Sequence, residues 1–141
     1  MRTALDSNIL SALWGNEPNA MAIAARLNFA KKHGAVVLSP IAYAELFGHP
    51  RMTEADIVTT LEDLGVDIDF HLTENLWTEA GRRFSLYADR RRKSFGQSPR
   101  RLVADFVVGA HALLQADRLM TMDIARYERD FPELRLLRIE E

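Results

Sequence analysis

Strand-length segments recur along this chain between helix-length ones, and that alternation limits the possible fold more than any other feature. Thr3-Ala4-Leu5, Ala35-Val36-Val37-Leu38 and Leu119-Met120-Thr121-Met122 are short, largely apolar runs bounded by polar residues, the pattern of strands buried on both faces. Val66-Asp67-Ile68-Asp69-Phe70 instead alternates with period two, which predicts a strand with one face less buried, towards a sheet edge. A short closing strand is expected at Arg135-Leu136-Leu137-Arg138. Strands separated by helices imply an α/β domain with a mostly parallel central sheet flanked by helices.

The helix boundaries carry their own chemistry. Residues 8–14 read as a short helix, and Pro18 suits the first turn of a longer one ending near Gly34, because proline has no N–H to lose there. Ser39-Pro40 starts a helix that carries Glu45 and stops around Gly48-His49-Pro50. Thr53 with Asp56 resembles a capping box, with Asp replacing the usual Glu or Gln, opening a helix that runs to Leu64 before Gly65. Residues 73–93 place Leu76, Ala80, Phe84 and Tyr87 on one stripe, and residues 102–116 do the same with Leu102, Phe106, Ala110 and Leu113. A last helix passes through Tyr127 to Phe131, and Ser94-Phe95-Gly96-Gln97-Ser98-Pro99 is expected to be a loop. At 141 residues one domain spanning 1–141 suffices.

The absence of cysteine excludes disulfides and thiolate chemistry. An acid at Asp6 interrupts the amino terminus before a signal-peptide core can form, and no apolar stretch is long enough to span a bilayer. A cytoplasmic protein without membrane contact is therefore expected. The net charge of −2 conceals a basic segment in which Arg82, Arg83, Arg90, Arg91, Arg92, Lys93, Arg100 and Arg101 stand against the single acid Asp89. Such a stripe is a candidate footprint for RNA phosphates or an acidic partner, or simply a solvated helix and its loop.

Two of the apolar runs end on aspartates, Asp6 and Asp123, and in open α/β sheets ligands bind beyond the carboxyl ends of the strands. Glu45 lies four residues after Ile41, and Asp105 four before Gly109, so each shares a helical stripe with apolar or small residues and is expected to be partly buried. Taken singly, each acid has a structural alternative: Asp6 and Asp123 as helix N-caps, Glu45 as an arginine partner, Asp105 as a complement to a helix dipole. Taken together they crowd charge. Two carboxylates ~5 Å apart at an effective dielectric of ~20 repel by roughly 3 kcal/mol, a cost that raised pKa values or a hard divalent cation such as Mg²⁺ or Mn²⁺ relieves.

In order and spacing, Asp6-Ser7-Asn8, Ala44-Glu45-Leu46, Ala104-Asp105-Phe106 and Thr121-Met122-Asp123 resemble the PIN-domain ribonucleases, particularly the VapC toxins of bacterial toxin–antitoxin pairs. The likeness spans essentially the whole chain and is most specific from Asp105 through Ala112, Asp117-Arg118-Leu119, Thr121-Met122-Asp123 and Tyr127 to Phe131-Pro132. Ser7 stands where threonine is more usual and keeps the hydroxyl. The resemblance implies that Asp6, Glu45, Asp105 and Asp123 surround Mg²⁺ or Mn²⁺, directly or through water, with Asn8 ordering the site. Ser7 and Thr121 can orient carboxylates or water, or serve as turn or cap residues. It further implies metal-assisted hydrolysis of RNA, a homodimer, and a cognate VapB-type antitoxin.

Other chemistries fit less well. His33, His49, His71 and His111 form no His-x-x-x-His pair, and no phosphate-binding glycine loop is present. A haloacid-dehalogenase-like phosphatase would carry a second aspartate where Asn8 stands. Trp14, Trp77, Phe84 and Tyr87 can stack on bases but suit a core or interface better. The rival from another class is a PIN-like RNA- or protein-binding module that does not cleave.

Overall fold

The computed structural model describes residues 1–94 and 103–140. The order is β1 (Thr3–Leu5), α1 (Ser7–Trp14), α2 (Ala20–Lys32), β2 (Val36–Leu38), α3 (Pro40–Leu46), α4 (Glu54–Leu64), β3 (Val66–Ile68), α5 (Glu74–Lys93), α6 (Val103–Gln115), β4 (Arg118–Met120), α7 (Ile124–Asp130) and β5 (Leu136–Leu137). The strands form one sheet in the order β3-β2-β1-β4-β5, and every pairing is parallel. The α/β architecture follows the expected alternation, and β3 lies at an edge, as its period-two pattern requires.

Several expected boundaries move. β4 ends at Met120, so Thr121 and Met122 leave the sheet and Asp123 sits three residues beyond the strand. The apolar run is longer than the strand because Thr121 turns its hydroxyl to the site described below and Met122 packs against the core from the following loop. Pro18 lies in the turn before α2, which begins at Ala20. Residues 95–99 of the expected loop, Leu102 of the α6 stripe, and Arg100 and Arg101 of the basic segment lie outside the described residues.

Local chemistry sets the helix ends. Ser39 Oγ accepts the Ala42 N–H with Pro40 in the first turn, and Thr53 and Asp56 form a reciprocal capping box. Gly65 ends α4 at φ 70°, a left-handed conformation that glycine adopts without a side-chain clash. Among the described residues no helix is long and apolar enough to cross a membrane.

The core behind the site is aromatic. Phe106 on α6 contacts Phe84, Tyr87 and Phe131 with ring centroids 5.5, 5.5 and 6.3 Å away. Gly109, one turn along α6, lets the Phe131 ring approach so closely that a Cβ there would lie 2.6 Å from Phe131 Cζ. The far end of α6 is tied down by Asp69, whose Oδ2 accepts from Arg2 Nη2 at 3.2 Å, His111 Nε2 at 3.0 Å and Gln115 Nε2 at 2.9 Å. Burial keeps the His111 imidazole below its usual pKa, although Asp69 partly opposes this. Burial alone would push Asp69 up, but donation from His111, Gln115 and Arg2 outweighs it and holds the carboxylate low.

Candidate active site

The strand order reverses between β1 and β4: β2 and β3 extend the sheet on one side of β1, β4 and β5 on the other. That crevice is where an open α/β sheet presents loops from both directions to a ligand. Asp6 follows β1 directly, and its N–H donates to Met120 O at 3.0 Å, pinning it to the end of β4. Thr121, buried just past β4, donates its hydroxyl to Asp6 Oδ2 at 2.9 Å and accepts the Asp123 N–H at 3.0 Å. One hydroxyl thus joins the two strand-following aspartates. Asn8 Nδ2 on α1 donates to Asp123 Oδ2 at 3.3 Å.

Asp6 and Asp123 occupy the N-cap positions of α1 and α7, yet neither side chain makes a cap bond among the described residues. Their carboxylates point elsewhere. Asp105 lies in the first turn of α6 and is partly buried. Glu45 projects from α3 and is surface-exposed, not partly buried as its stripe suggested, because α3 ends within half a turn and leaves the crevice rim uncovered. Its Oε1 accepts from Ser7 Oγ at a long 3.4 Å.

Asp6 and Glu45 both respond to burial and to neighbouring carboxylates. Burial raises the Asp6 pKa, and the charges of Asp123 and Asp105 raise it further, against donation from Thr121 and from the Tyr127 hydroxyl. Glu45 is raised first by lost hydration at its carboxylate, then by Asp6 and Asp105, with Ser7 opposing. Burial leads both shifts, and the neighbouring carboxylates add to it.

Sequence reasoning missed two members of this site. Tyr127, four residues after Asp123, lies one turn along α7 and reaches Asp6. Arg126, three after Asp123, places Nη1 3.5 Å from Asp123 Oδ2 and 3.6 Å from Asp105 Oδ1. The i, i+3 spacing signals contact between Arg126 and Asp123. Nothing in the sequence signals its contact with Asp105.

Chemically, the donors suit a hard divalent cation: four carboxylates, three hydroxyls and an amide, all oxygen ligands. The buried Asn8 Oδ1 has no hydrogen-bond partner among the described residues, which leaves an acceptor available beside Asp123. Among those residues, however, no three His, Cys, Asp or Glu side chains stand close enough to hold a metal ion. The acids are gathered but the cage is not closed, and Arg126 stands against two of its walls.

The basic segment fares differently from its charge count. Arg82 pairs with Glu79 at 3.2 Å, and Arg83 with Glu79 at 2.9 Å and with Glu133. Arg90 pairs with the buried Asp130, and Arg92 with Asp89 at 3.3 Å. Arg83 also stacks 4.7 Å over the Phe131 ring. Asp130 and Glu133 come from the far end of the sequence, so Asp89 is not the segment's sole acid in space. Arg91 is partly buried and engaged, while Lys93 is exposed at the end of α5. Tyr87 belongs to the core, Phe84 and Trp14 pack against it, and Trp77 is exposed.

Among curated proteins none matches the sequence significantly. Among solved structures, VapBC-1 from nontypeable Haemophilus influenzae is similar at a TM-score of 0.67 and 21% identity, with 100% of both chains covered. VapBC2 from Rickettsia felis, bound to a DNA fragment from its promoter, is similar at 0.63 and 17%, with 98% of both chains covered. At these identities the likeness establishes the fold. A sequence-family model described as the PIN domain matches residues 3–132, nearly the whole chain and all four gathered acids, and on that match the chain belongs to the PIN domain family.

Proposed function

We propose that this protein is a metal-dependent endoribonuclease toxin of the VapC type, acting in the cytoplasm on RNA phosphodiester bonds and neutralised by a VapB-type antitoxin. The observation that carries the reading is the buried Asp6 carboxylate, held by Thr121 and Tyr127 at the β1/β4 crevice while burial, Asp123 and Asp105 press its pKa upward. A pure binding module gains nothing from concentrating negative charge where a phosphate must approach. Likeness to VapBC structures supports the antitoxin partner, and a homodimer follows the same analogy.

Asp6, Asp105, Asp123 and Glu45 would hold Mg²⁺ or Mn²⁺, directly or through water. A divalent ion there supplies concentrated positive charge for the charge that develops during phosphodiester hydrolysis. The chain's own residues prepare the site for it. Thr121 and Tyr127 favour the ionised form of Asp6, Asn8 orients Asp123, and Ser7 restrains Glu45. Glu45, exposed at the rim with its pKa raised, is suited to take the proton that attacking water loses. On α5, Arg82, Arg91, Arg92 and Lys93 are proposed to touch RNA or antitoxin, whereas Arg83 and Arg90 serve first to bind α5 to Glu133 and Asp130.

The non-cleaving module draws on one observation, the lack of a closed acidic cage among the described residues. The two readings separate on purified, antitoxin-free protein given tRNA, ribosomal-loop RNA and mRNA with Mg²⁺, Mn²⁺ or EDTA, beside Asp6→Asn. Cleavage that needs the metal and disappears in the variant is expected. Equal cleavage by the folded variant, or cleavage persisting in EDTA, overturns the nuclease site.

A further inference from the structure

We infer that Arg126 is the acid cluster's resident counter-ion, a built-in competitor that a divalent metal must displace and that therefore sets the site's metal affinity. The inference rests on the metal site of the proposed nuclease. Arg126 Nη1 lies between Asp105 and Asp123, 3.6 and 3.5 Å from their nearest oxygens. Those acids come from different helices, α6 and α7, so one guanidinium bridges the two sides of the crevice. Both distances exceed the 2.7–2.9 Å usual for charge-assisted hydrogen bonds, about 0.7 Å too long. The contacts are attractive without being locked, and the side chain is 37% exposed, leaving it solvent to swing into.

One guanidinium does not neutralise four carboxylates. Arg126 pairs with Asp105 and Asp123 and not with Asp6 or Glu45 among the described residues, so two carboxylates of the four are left to draw in further positive charge. A planar monovalent group also cannot draw carboxylates from several directions onto one point. A small divalent ion can. Arg126 thus ties Asp105 to Asp123 across the crevice, and among the described residues no three acids stand close enough to hold a metal ion. Metal uptake becomes an exchange of cations in which α7 need not move, because Arg126 can leave by side-chain rotation alone.

The exchange can be read without catalysis, from Mn²⁺ binding followed by calorimetry and by the electron paramagnetic resonance signal of free Mn²⁺. Half-exposed ion pairs are each worth a factor of about two to five, so Arg126→Ala is expected to bind Mn²⁺ about five- to tenfold more tightly. Arg126→Lys, which keeps the charge, is expected to stay near the wild-type affinity. Millimolar guanidinium chloride, against matched sodium chloride, is expected to weaken Mn²⁺ binding to Arg126→Ala and hardly affect the wild type. Unchanged or weaker binding by folded Arg126→Ala overturns the inference and leaves Arg126 as a structural tie. Asp6→Asn separates the two levels: loss of Mn²⁺ binding there, with Arg126→Ala unchanged, overturns only the competitor, whereas no binding by any variant or by wild type overturns the metal site as well.

Discussion

Thr121→Val tests the arrangement at its narrowest point. The substitution preserves shape and removes one hydroxyl, which donates to Asp6 Oδ2 at 2.9 Å and accepts the Asp123 N–H at 3.0 Å. Thr121 and Asp6 are 1% and 8% exposed, so water cannot readily replace the donor to the carboxylate. A hydrogen bond to a charged group contributes about 1.5–3 kcal/mol, and the Asp123 N–H adds little because that residue is half-exposed. The expected loss is about 2–3 kcal/mol near neutral pH, with Thr121→Ser retaining most of it. The pH dependence gives a second handle. Asp6 is already raised above 3.8 by burial, and losing a donor to its ionised form raises it further. The variant's deficit is therefore full while Asp6 is ionised in both proteins and shrinks as pH falls towards 3.8. Urea unfolding across pH measures both. A loss below roughly 0.5 kcal/mol at neutral pH, the size of an ordinary surface change, or a deficit that grows on acidification, would refute the reasoning.

Gly109→Ala places a methyl group against Phe131, which is fully buried, touches Phe106 and lies under Arg83. Alanine's helix preference offsets only part of the strain, so a net loss of about 1–3 kcal/mol is expected; a variant more stable in urea than wild type would show that the ring can yield. His111→Gln addresses the buried imidazole. Because the folded pKa lies below 6.5, its stability is complete above 6.5 and falls as the unfolded chain takes up the proton first on acidification. As pH falls below 6.5 the wild type should lose stability that His111→Gln keeps, and parallel stability curves would refute the lowered His111 pKa.

Local chemistry was readable wherever neighbours in sequence are also neighbours in space. Ser39-Pro40 and the Thr53/Asp56 box mark helix starts because a cap bond spans only three residues. Period-two alternation marked β3 as an edge because the pleat turns successive side chains to opposite faces. The run from Leu119 to Met122 misled at its end, since an apolar residue buried by a loop looks like one buried by a sheet. The basic segment misled for a related reason. Its partners Asp130 and Glu133 lie some forty to fifty positions away, beyond any local count of charge.

The sequence by itself determined the parallel α/β frame, the helix caps and the identity of the four acids, because these follow from periodicity, short-range bonds and residue chemistry. Only the tertiary structure decided that β1 and β4 lie side by side, that Thr121 and Tyr127 both reach Asp6, that Glu45 stands at the rim, and that Arg126 bridges Asp105 to Asp123. Strand order and the meeting of α6 with α7 are set by how the whole chain buries its apolar surface at once, a global balance that no local stretch of residues carries.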